Sequence, residues 1–307
     1  MGQQHETYYV PDQSKLPLLA SIGLALMVFG MGNVLIEIKN GTEGKGQTIA
    51  IIGFLWLSAV LWKWFSTVID ENRRGMNSAQ VKRSYVLGMQ WFIFSEVMFF
   101  AAFFGVLFYI RTFALPWLSE GPTSAILWNN FSGEWPLMTT PDMALNGAKA
   151  VVTGPDKDMG WPGIAGLLHW LPLYNTVILL ASSVTVHIAH VGLKNDNKKQ
   201  FNIWLGITVA LGIIFLGLQA LEYYEAYAHY GLHLNSGAYG TTFFMLTGFH
   251  GLHVTLGTFM LLVQWLRSMT KGHFSHHDCY GFEASSWYWH FVDVVWLGLF
   301  IFVYILG

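Results

Sequence analysis

Seven long apolar stretches constrain the fold of this chain more than any other feature. They lie near residues 16–38, 48–69, 84–112, 168–192, 202–225, 239–266 and 285–306. Each can cross a hydrocarbon core of roughly 30 Å, which takes about 20 helical residues. A segment in lipid must satisfy its own backbone hydrogen bonds, so each stretch is predicted to be a helix. The predicted fold class is an all-α membrane protein with seven transmembrane helices.

Composition narrows the classes of function. Only 11% of the residues are charged and the net charge is −2, whereas nucleic-acid-binding domains carry basic patches and are usually basic overall. We therefore expect no nucleic-acid partner. The single cysteine, Cys279, allows neither an internal disulfide nor a thiolate metal site. The first stretch is too long for a signal-peptide core and no small-residue cleavage site follows it, so it is predicted to be retained.

The connecting segments group the helices into two and five. We predict an N-terminal two-helix bundle over 1–70, a polar linker over 71–83 and a five-helix bundle over 84–307. The segment from about 113 to 167 is rich in Trp, Pro and Gly and is predicted to be a long loop on the outer face. It contains a glycosylation triplet at Asn130, a pattern that arises easily by chance.

Lysine and arginine predict the orientation, because the connections on the cytoplasmic or matrix side carry an excess of them. With the N-terminus inside, ten of these residues fall on the inner side and five on the outer side. The inner set is Lys15, Arg73, Arg74, Lys82, Arg83, Lys194, Lys198, Lys199, Arg267 and Lys271. The sequence therefore predicts that the N-terminus is inside and the C-terminus outside.

Twelve histidines raise the hypothesis of a membrane-embedded metal site. Two pairs, His187 with His190 and His250 with His253, are three residues apart and share a helix face. Imidazole suits iron, copper or zinc, and membrane di-iron desaturases and hydroxylases are built from histidine boxes. That enzyme class is therefore a competing interpretation, to which the adjacent His276 and His277 of the last inner loop could also contribute.

Depth argues against a shared metal centre. At about 1.5 Å per residue, the first pair lies near the inner end of its helix and the second pair near the middle of the membrane. Neither box is followed by the usual third histidine, and no histidine has an evident axial partner for haem. We interpret the histidines as hydrogen-bonded or lipid-contacting groups, and His290 with Asp293 as a local structural pair. A transporter is also disfavoured, because neither repeated halves nor regularly broken helices are evident.

Glu96 is the most unusual polar residue, because it stands in the apolar run SEVMFFAAFFGV over 95–106. A charge near the bilayer centre costs about 2.5–3.5 kcal/mol or more, so such residues usually face protein or a cavity. Glu96 could be a proton relay, a neutral acid bonded to another helix, or a group lining a lipid cleft. The relay is the least favoured, since the third helix offers no further titratable groups. Gly88, Ser95 and Ala102 form a small-residue stripe suited to close helix packing.

Five blocks of sequence resemble subunit III of the haem–copper cytochrome c oxidases. They are SEVMFF (95–100), PLYNTVILLAS (172–182), QALEYYEA (219–226), YGTTFFMLTGFHGLHV (239–254) and GFEASSWYWHFVDVVW (281–296). The resemblance implies a subunit with no redox centre of its own, in an aa3-type enzyme that reduces O2 with electrons from cytochrome c and translocates protons. Haem a, haem a3 and copper would belong to partner subunits, with subunit I as the main contact and subunit II as a further neighbour.

The resemblance also implies a V-shaped cleft between the two helix groups that binds phospholipids and sustains proton uptake and stability during turnover. By their positions in the matching motifs, Glu96, His253 and Arg267 would border bound lipid, with Trp64 and Phe65 from the second helix. Asn77 stands about where the family often has a histidine, and Asp70 where it often has an arginine. Quinol oxidases of the family lack the two leading helices, so the seven-helix form favours a cytochrome c oxidase. The long outer loop favours a bacterial cell membrane over the mitochondrial inner membrane.

Overall fold

The computed structural model describes residues 13–128, 131–274 and 279–307, and all regular structure within these ranges is helical. Eleven α-helices follow one another in these ranges: α1 Leu16–Asn40, α2 Gly46–Arg73, α3 Ala79–Tyr109, α4 Leu115–Glu120, α5 Ser124–Leu127, α6 Pro141–Asn146, α7 Gly163–Gly166, α8 Leu171–Lys194, α9 Lys198–His229, α10 Gly237–Lys271 and α11 Tyr280–Leu299. Seven spans are long and apolar enough to cross a membrane, which confirms the predicted fold class. Asn130, His276 and His277 lie outside the described residues.

The third span differs most from its predicted bounds. It begins at Ala79, so the connection after α2 covers only 74–78, whereas the sequence predicted a linker over 71–83. It also continues beyond 112, through a π-helical turn over Ile110–Ala114 and into α4. Pro116 has no amide N–H and interrupts the regular ladder of hydrogen bonds, which accounts for a local change of helix type there. The long loop after the third span therefore begins at Gly121, not near 113.

The first compact unit comprises Met1–Gly88, and α1 packs against α2 within it through close backbone contact. A Cβ atom at Gly30 would lie 2.3 Å from the backbone nitrogen of Ala50, and one at Gly53 would lie 2.4 Å from that of Met27. Small residues allow membrane helices to approach this closely. The indole of Trp56 adds a hydrogen bond of 2.9 Å to the carbonyl oxygen of Leu19.

The second compact unit comprises Met89–Gly307 and has a core of large aromatic side chains. Trp289 and Trp296 of α11 are completely or almost completely buried. Each indole donates a hydrogen bond to a hydroxyl of α8: Trp289 to Ser182 at 2.9 Å and Trp296 to Thr176 at 3.0 Å. Aromatic packing and buried hydrogen bonds thus hold α8 and α11 together.

Hydrogen bonds within the loop that follows α4 give it a defined structure. Asp142, in the first turn of α6, accepts hydrogen bonds from the amides of Val151 (2.6 Å) and Val152 (2.8 Å) and from the side chain of Asn146 (2.6 Å). These donors, Val152 foremost, hold the pKa of Asp142 below its ordinary value of 3.8. Downstream, the hydroxyl of Tyr239 accepts a hydrogen bond of 2.9 Å from the amide of Met159, which ties the loop to α10.

Candidate functional site

Glu96 and His253 form a pair within the membrane-spanning helices of the second unit. Oε2 of Glu96 on α3 lies 2.9 Å from Nε2 of His253 on α10. The two side chains are 23% and 11% exposed, respectively, so the pair lies at the edge of the core. Glu96 is therefore bonded to a neighbouring helix, one of the three arrangements that the sequence left open.

The hydrogen bonds of His253 fix where one proton lies. Nδ1 lies 2.6 Å from the carbonyl oxygen of Phe249, which only accepts, so Nδ1 carries a hydrogen. The contact between Nε2 and Glu96 then needs one further proton, on the carboxyl or on the ring. With the proton in either position the pair has no net charge. Neutrality avoids most of the cost of placing a single charge at this depth.

Aromatic rings enclose the imidazole of His253. Phe100, only 2% exposed, meets it edge-on with 5.0 Å between ring centroids, and Tyr288 is stacked with it at 6.3 Å. Phe99 packs edge-on against Phe249, the residue whose carbonyl binds Nδ1, with 4.9 Å between centroids. The phenylalanines of the SEVMFF block thus hold the partner of Glu96 in place.

Arg267 lies on the same helix as His253 but well away from it. The separation along α10 is about 21 Å at about 1.5 Å per residue, which places Arg267 near the end of the helix. Its guanidinium donates to Oε1 of Gln264 at 2.9 Å and lies over the ring of Phe274 at 4.9 Å. The structure therefore brings Glu96 and His253 together and leaves Arg267 at another level of the same helix.

The other three residues of the expected lipid site belong to the first compact unit. Trp64 and Phe65 lie on α2, where Trp64 is half-buried and Phe65 is 63% exposed. Asn77 lies in the short connection before α3, and its side chain donates to Oδ1 of Asn72 at 3.0 Å. All three side chains are at least partly exposed at the surface of the first unit.

His290 contacts a residue that the sequence did not indicate. Nδ1 of His290 lies 2.8 Å from Oγ of Ser183 on α8 and 3.8 Å from Oδ2 of Asp293. The shorter contact joins two helices, whereas the expected pair lies within one. Asp293 itself is only 5% exposed.

Two other polar contacts between helices were not predicted. Glu222 is fully buried and accepts a hydrogen bond of 2.6 Å from the hydroxyl of Tyr304. His190 contacts Glu283 at 3.1 Å. The sequence places the two residues of each pair at similar depths in the membrane, which was the available signal. Depth alone does not predict how each helix is rotated about its own axis, so it could not identify the pairs.

The small-residue stripe of the third span lies at the surface in the described part of the chain. Gly88, Ser95 and Ala102 are exposed, and a Cβ atom at Gly88 would meet nothing within 4 Å. The use of this stripe in close helix packing stays a prediction.

The histidines in the described part of the chain do not gather around a common metal position. Nε2 of His250, for example, lies 3.1 Å from the carbonyl oxygen of Val292. Among residues 13–128, 131–274 and 279–307, no three His, Cys, Asp or Glu side chains are grouped so that they could hold a metal ion.

Known sequences match nearly the whole chain. The family model described as "Cytochrome c oxidase subunit III" matches residues 5–119 and 154–307. Proteins named cytochrome c oxidase subunit 3 from Dugong dugon and Cyprinus carpio are 35% and 34% identical, over 99% of this chain and 98% of theirs. The protein of that name from Canis lupus is 34% identical, with the same coverage.

The family model includes every residue of the expected lipid site and leaves out 120–153, in the long loop between the third and fourth spans. The matches agree with the seven apolar helices and with the motif blocks around Glu96 and His253. The chain is a multi-pass membrane protein and part of a respiratory oxidase complex. It belongs to the cytochrome c oxidase subunit III family.

Proposed function

We propose that this protein is the third core subunit of an aa3-type cytochrome c oxidase. The complex oxidises cytochrome c, reduces O2 to water and translocates protons across the membrane. Subunit I is the main contact of this chain and subunit II a further neighbour. The full set of seven spans supports a cytochrome c oxidase over a quinol oxidase, whose third subunit lacks the two leading helices.

The chemistry of electron transfer belongs to the partner subunits, which hold haem a, haem a3 and copper. In support, the histidines at membrane depth are engaged with other groups of this chain. His253 contacts Glu96 and the backbone of Phe249, His250 contacts the backbone of Val292, and His290 contacts Ser183. His253 uses both of its ring nitrogens in these contacts, so neither is left to bind a metal.

The chain's own role is to bind phospholipids and to keep the complex active during turnover. The Glu96–His253 pair is the observation that carries this proposal, because it is a neutral polar pair at the lipid-accessible edge of the aromatic core. A lipid beside it meets hydrogen-bonding groups without a bare charge. Arg267, at the inner end of α10, supplies a guanidinium suited to a headgroup phosphate.

Trp64, Phe65 and Asn77 are proposed to contact phospholipid on the first unit. Phe65 is well exposed and offers apolar surface to acyl chains, while Trp64 and Asn77 provide polar groups near the end of α2. Bound lipid supports proton uptake by subunit I. The Glu96–His253 pair contributes as a fixed polar surface and is not a step in a proton relay.

The protein lies in the bacterial cell membrane, with its N-terminus inside and its C-terminus outside. The helix bounds preserve the excess of Lys and Arg on the inner side, ten against five. This asymmetry predicts the inner side of bacterial and organellar membrane proteins alike. The loop segment over 120–153, outside the family match, supports a bacterial form.

The first experiment is gentle purification of the tagged chain from native membranes, followed by a reduced-minus-oxidised visible spectrum. We expect haem a bands and two larger co-purifying chains, with phospholipid retained in the complex. A lone chain with stoichiometric iron and no haem would contradict the proposal and favour a di-iron enzyme.

A further inference from the structure

A cavity of about 440 Å³ lies between α3 and the C-terminal part of α11. Five apolar side chains line most of it: Phe104, Leu107, Phe108, Phe302 and Leu306. Its volume falls within the range of about 300–1,000 Å³ that is typical of ligand sites. It is separate from the Glu96–His253 pair, since neither of those residues lines it.

A glycine and two π-helical turns shape this cavity. Gly298 lies in its wall, and a Cβ atom there would approach Cζ of Phe104 to 3.2 Å. A larger side chain at this position would therefore occupy the cavity. The wall also includes residues of both π turns, Ile110–Ala114 and Phe300–Ile305. Turns of this kind occur often at functional sites.

Arg111 places a positive charge in the cavity wall. Its guanidinium donates to the carbonyl oxygens of Phe302 at 3.3 Å and Leu306 at 2.5 Å, and it lies over the ring of Trp135 at 5.3 Å. A guanidinium has five N–H donors, so these two bonds leave donors for a ligand. Within the described residues no carboxylate lies within salt-bridge distance of Arg111.

The depth of Arg111 matches that of lipid headgroups. Glu96 lies near the middle of the span Ala79–Glu120, and Arg111 is about 22 Å further along it at about 1.5 Å per residue. Half of the hydrocarbon core is about 15 Å. The guanidinium therefore reaches the polar boundary on the side of the 121–170 loop, while Phe104 and Gly298 lie deeper in the apolar layer.

The mouth of the cavity is apolar, so its ligand enters from the bilayer. Phe108, Phe302 and Leu306 are each 50–60% exposed. We propose that this cavity binds one anionic phospholipid from the leaflet next to the 121–170 loop. The headgroup phosphate binds Arg111 through charge-assisted hydrogen bonds, and one acyl chain packs against Phe104, Leu107 and Gly298. A net negative headgroup is preferred because the charge of Arg111 has no carboxylate partner in the described residues.

The test uses the intact complex in lipid nanodiscs with two photoactivatable probes, phosphatidylglycerol and diacylglycerol, that carry the same diazirine acyl chain. Cross-linked peptides are mapped by mass spectrometry. We expect phosphatidylglycerol to label 104–112 and 298–306 about fivefold more than diacylglycerol, the factor that one arginine near a membrane surface typically contributes. Equal labelling by the two probes would overturn the proposal. So would absence of labelling in the intact complex, because a partner subunit would then cover the cavity.

Variants separate the two parts of the site. Gly298→Leu fills the cavity and should abolish labelling by both probes, while Val294→Leu, on the same helix but 67% exposed and outside the cavity wall, should leave it unchanged. Arg111→Gln should remove the preference for phosphatidylglycerol, and Arg111→Lys, which keeps the charge at the helix end, should retain it. Unchanged labelling of Gly298→Leu would overturn the proposal. Competition by inorganic phosphate would also overturn it, because the site would then bind the free anion.

Discussion

The two compact units of this chain are held together by opposite means. In the first, α1 and α2 approach through glycines, and most of their large apolar side chains remain exposed. In the second, large aromatic side chains fill a core, and their polar atoms bind across helices, as Trp289 binds Ser182. The first unit therefore depends on backbone proximity and on whatever surrounds it in the membrane, whereas the bundle of α8–α11 carries its own interior.

The largest expected effect tests the aromatic core. Trp289→Ala removes a fully buried indole that packs against Gly257 and donates to Ser182. Replacing such a side chain by alanine typically costs about 3–5 kcal/mol of stability. Trp62→Ala, in the first unit, removes an indole that is 74% exposed and should cost much less. Thermal unfolding of the two purified complexes measures the difference, and equal losses would contradict the contrast between the units.

The next effect tests the glycine contact. Gly30→Leu places a side chain where a Cβ atom already lies 2.3 Å from the backbone of Ala50, so α1 and α2 must separate. Overpacking of this kind costs about 1–3 kcal/mol, and we expect less of the subunit in the assembled complex. Gly32→Leu is the matched control, because a Cβ atom at Gly32 meets nothing within 4 Å. If both variants assemble equally well, close backbone contact does not hold the first unit together.

A smaller effect is expected at the pair on the edge of the second unit. Glu96→Gln keeps a donor for Nε2 of His253, so assembly and the haem spectra should remain intact. Glu96→Leu leaves that nitrogen without its partner, which typically costs about 1–3 kcal/mol. Thermal unfolding and visible spectra of the two variants should separate them. Loss of the haem signal in Glu96→Gln would show that the carboxyl does more than bind His253.

The smallest effect concerns the pH dependence of the long loop after the third span. Donors from Val152, Asn146 and Val151 lower the pKa of Asp142 in the folded loop. The carboxylate therefore stabilises the loop fully above its ordinary pKa of 3.8, and this stabilisation is lost as the pH falls through the lower folded-state value. Hydrogen exchange at the amides of Val151 and Val152, corrected for its intrinsic pH dependence, should show lost protection there. Asp142→Asn should lack that transition, and a transition that persists in this variant would assign it to another group.

The sequence was sufficient to predict the seven helices, because their apolar length is a local property. It was also sufficient to single out Glu96, since a carboxyl among phenylalanines is conspicuous. It did not predict that His253 is the partner of Glu96, although both were placed near the middle of the membrane. The pairing depends on how α3 and α10 are rotated and packed, which no residue within either helix determines alone.

The same limit explains the contact between Tyr304 and Glu222. These residues are far apart in the chain and meet only because the π-helical turn Phe300–Ile305, which follows α11, lies against α9. A different reason applies to the third span, which continues beyond its predicted end at 112 through a π-helical turn and into α4. That change follows from the local effect of Pro116 and not from packing.

The neutrality of the Glu96–His253 pair has a consequence under an electrical field. Moving a full charge across the membrane changes its energy by about 2.3 kcal/mol per 100 mV. A proton that shifts between Oε2 and Nε2 travels at most the 2.9 Å that separate them, about a tenth of a core of about 30 Å. The potential can therefore bias its position by no more than roughly 0.2 kcal/mol per 100 mV. The pair keeps its arrangement whether the membrane is energised or discharged.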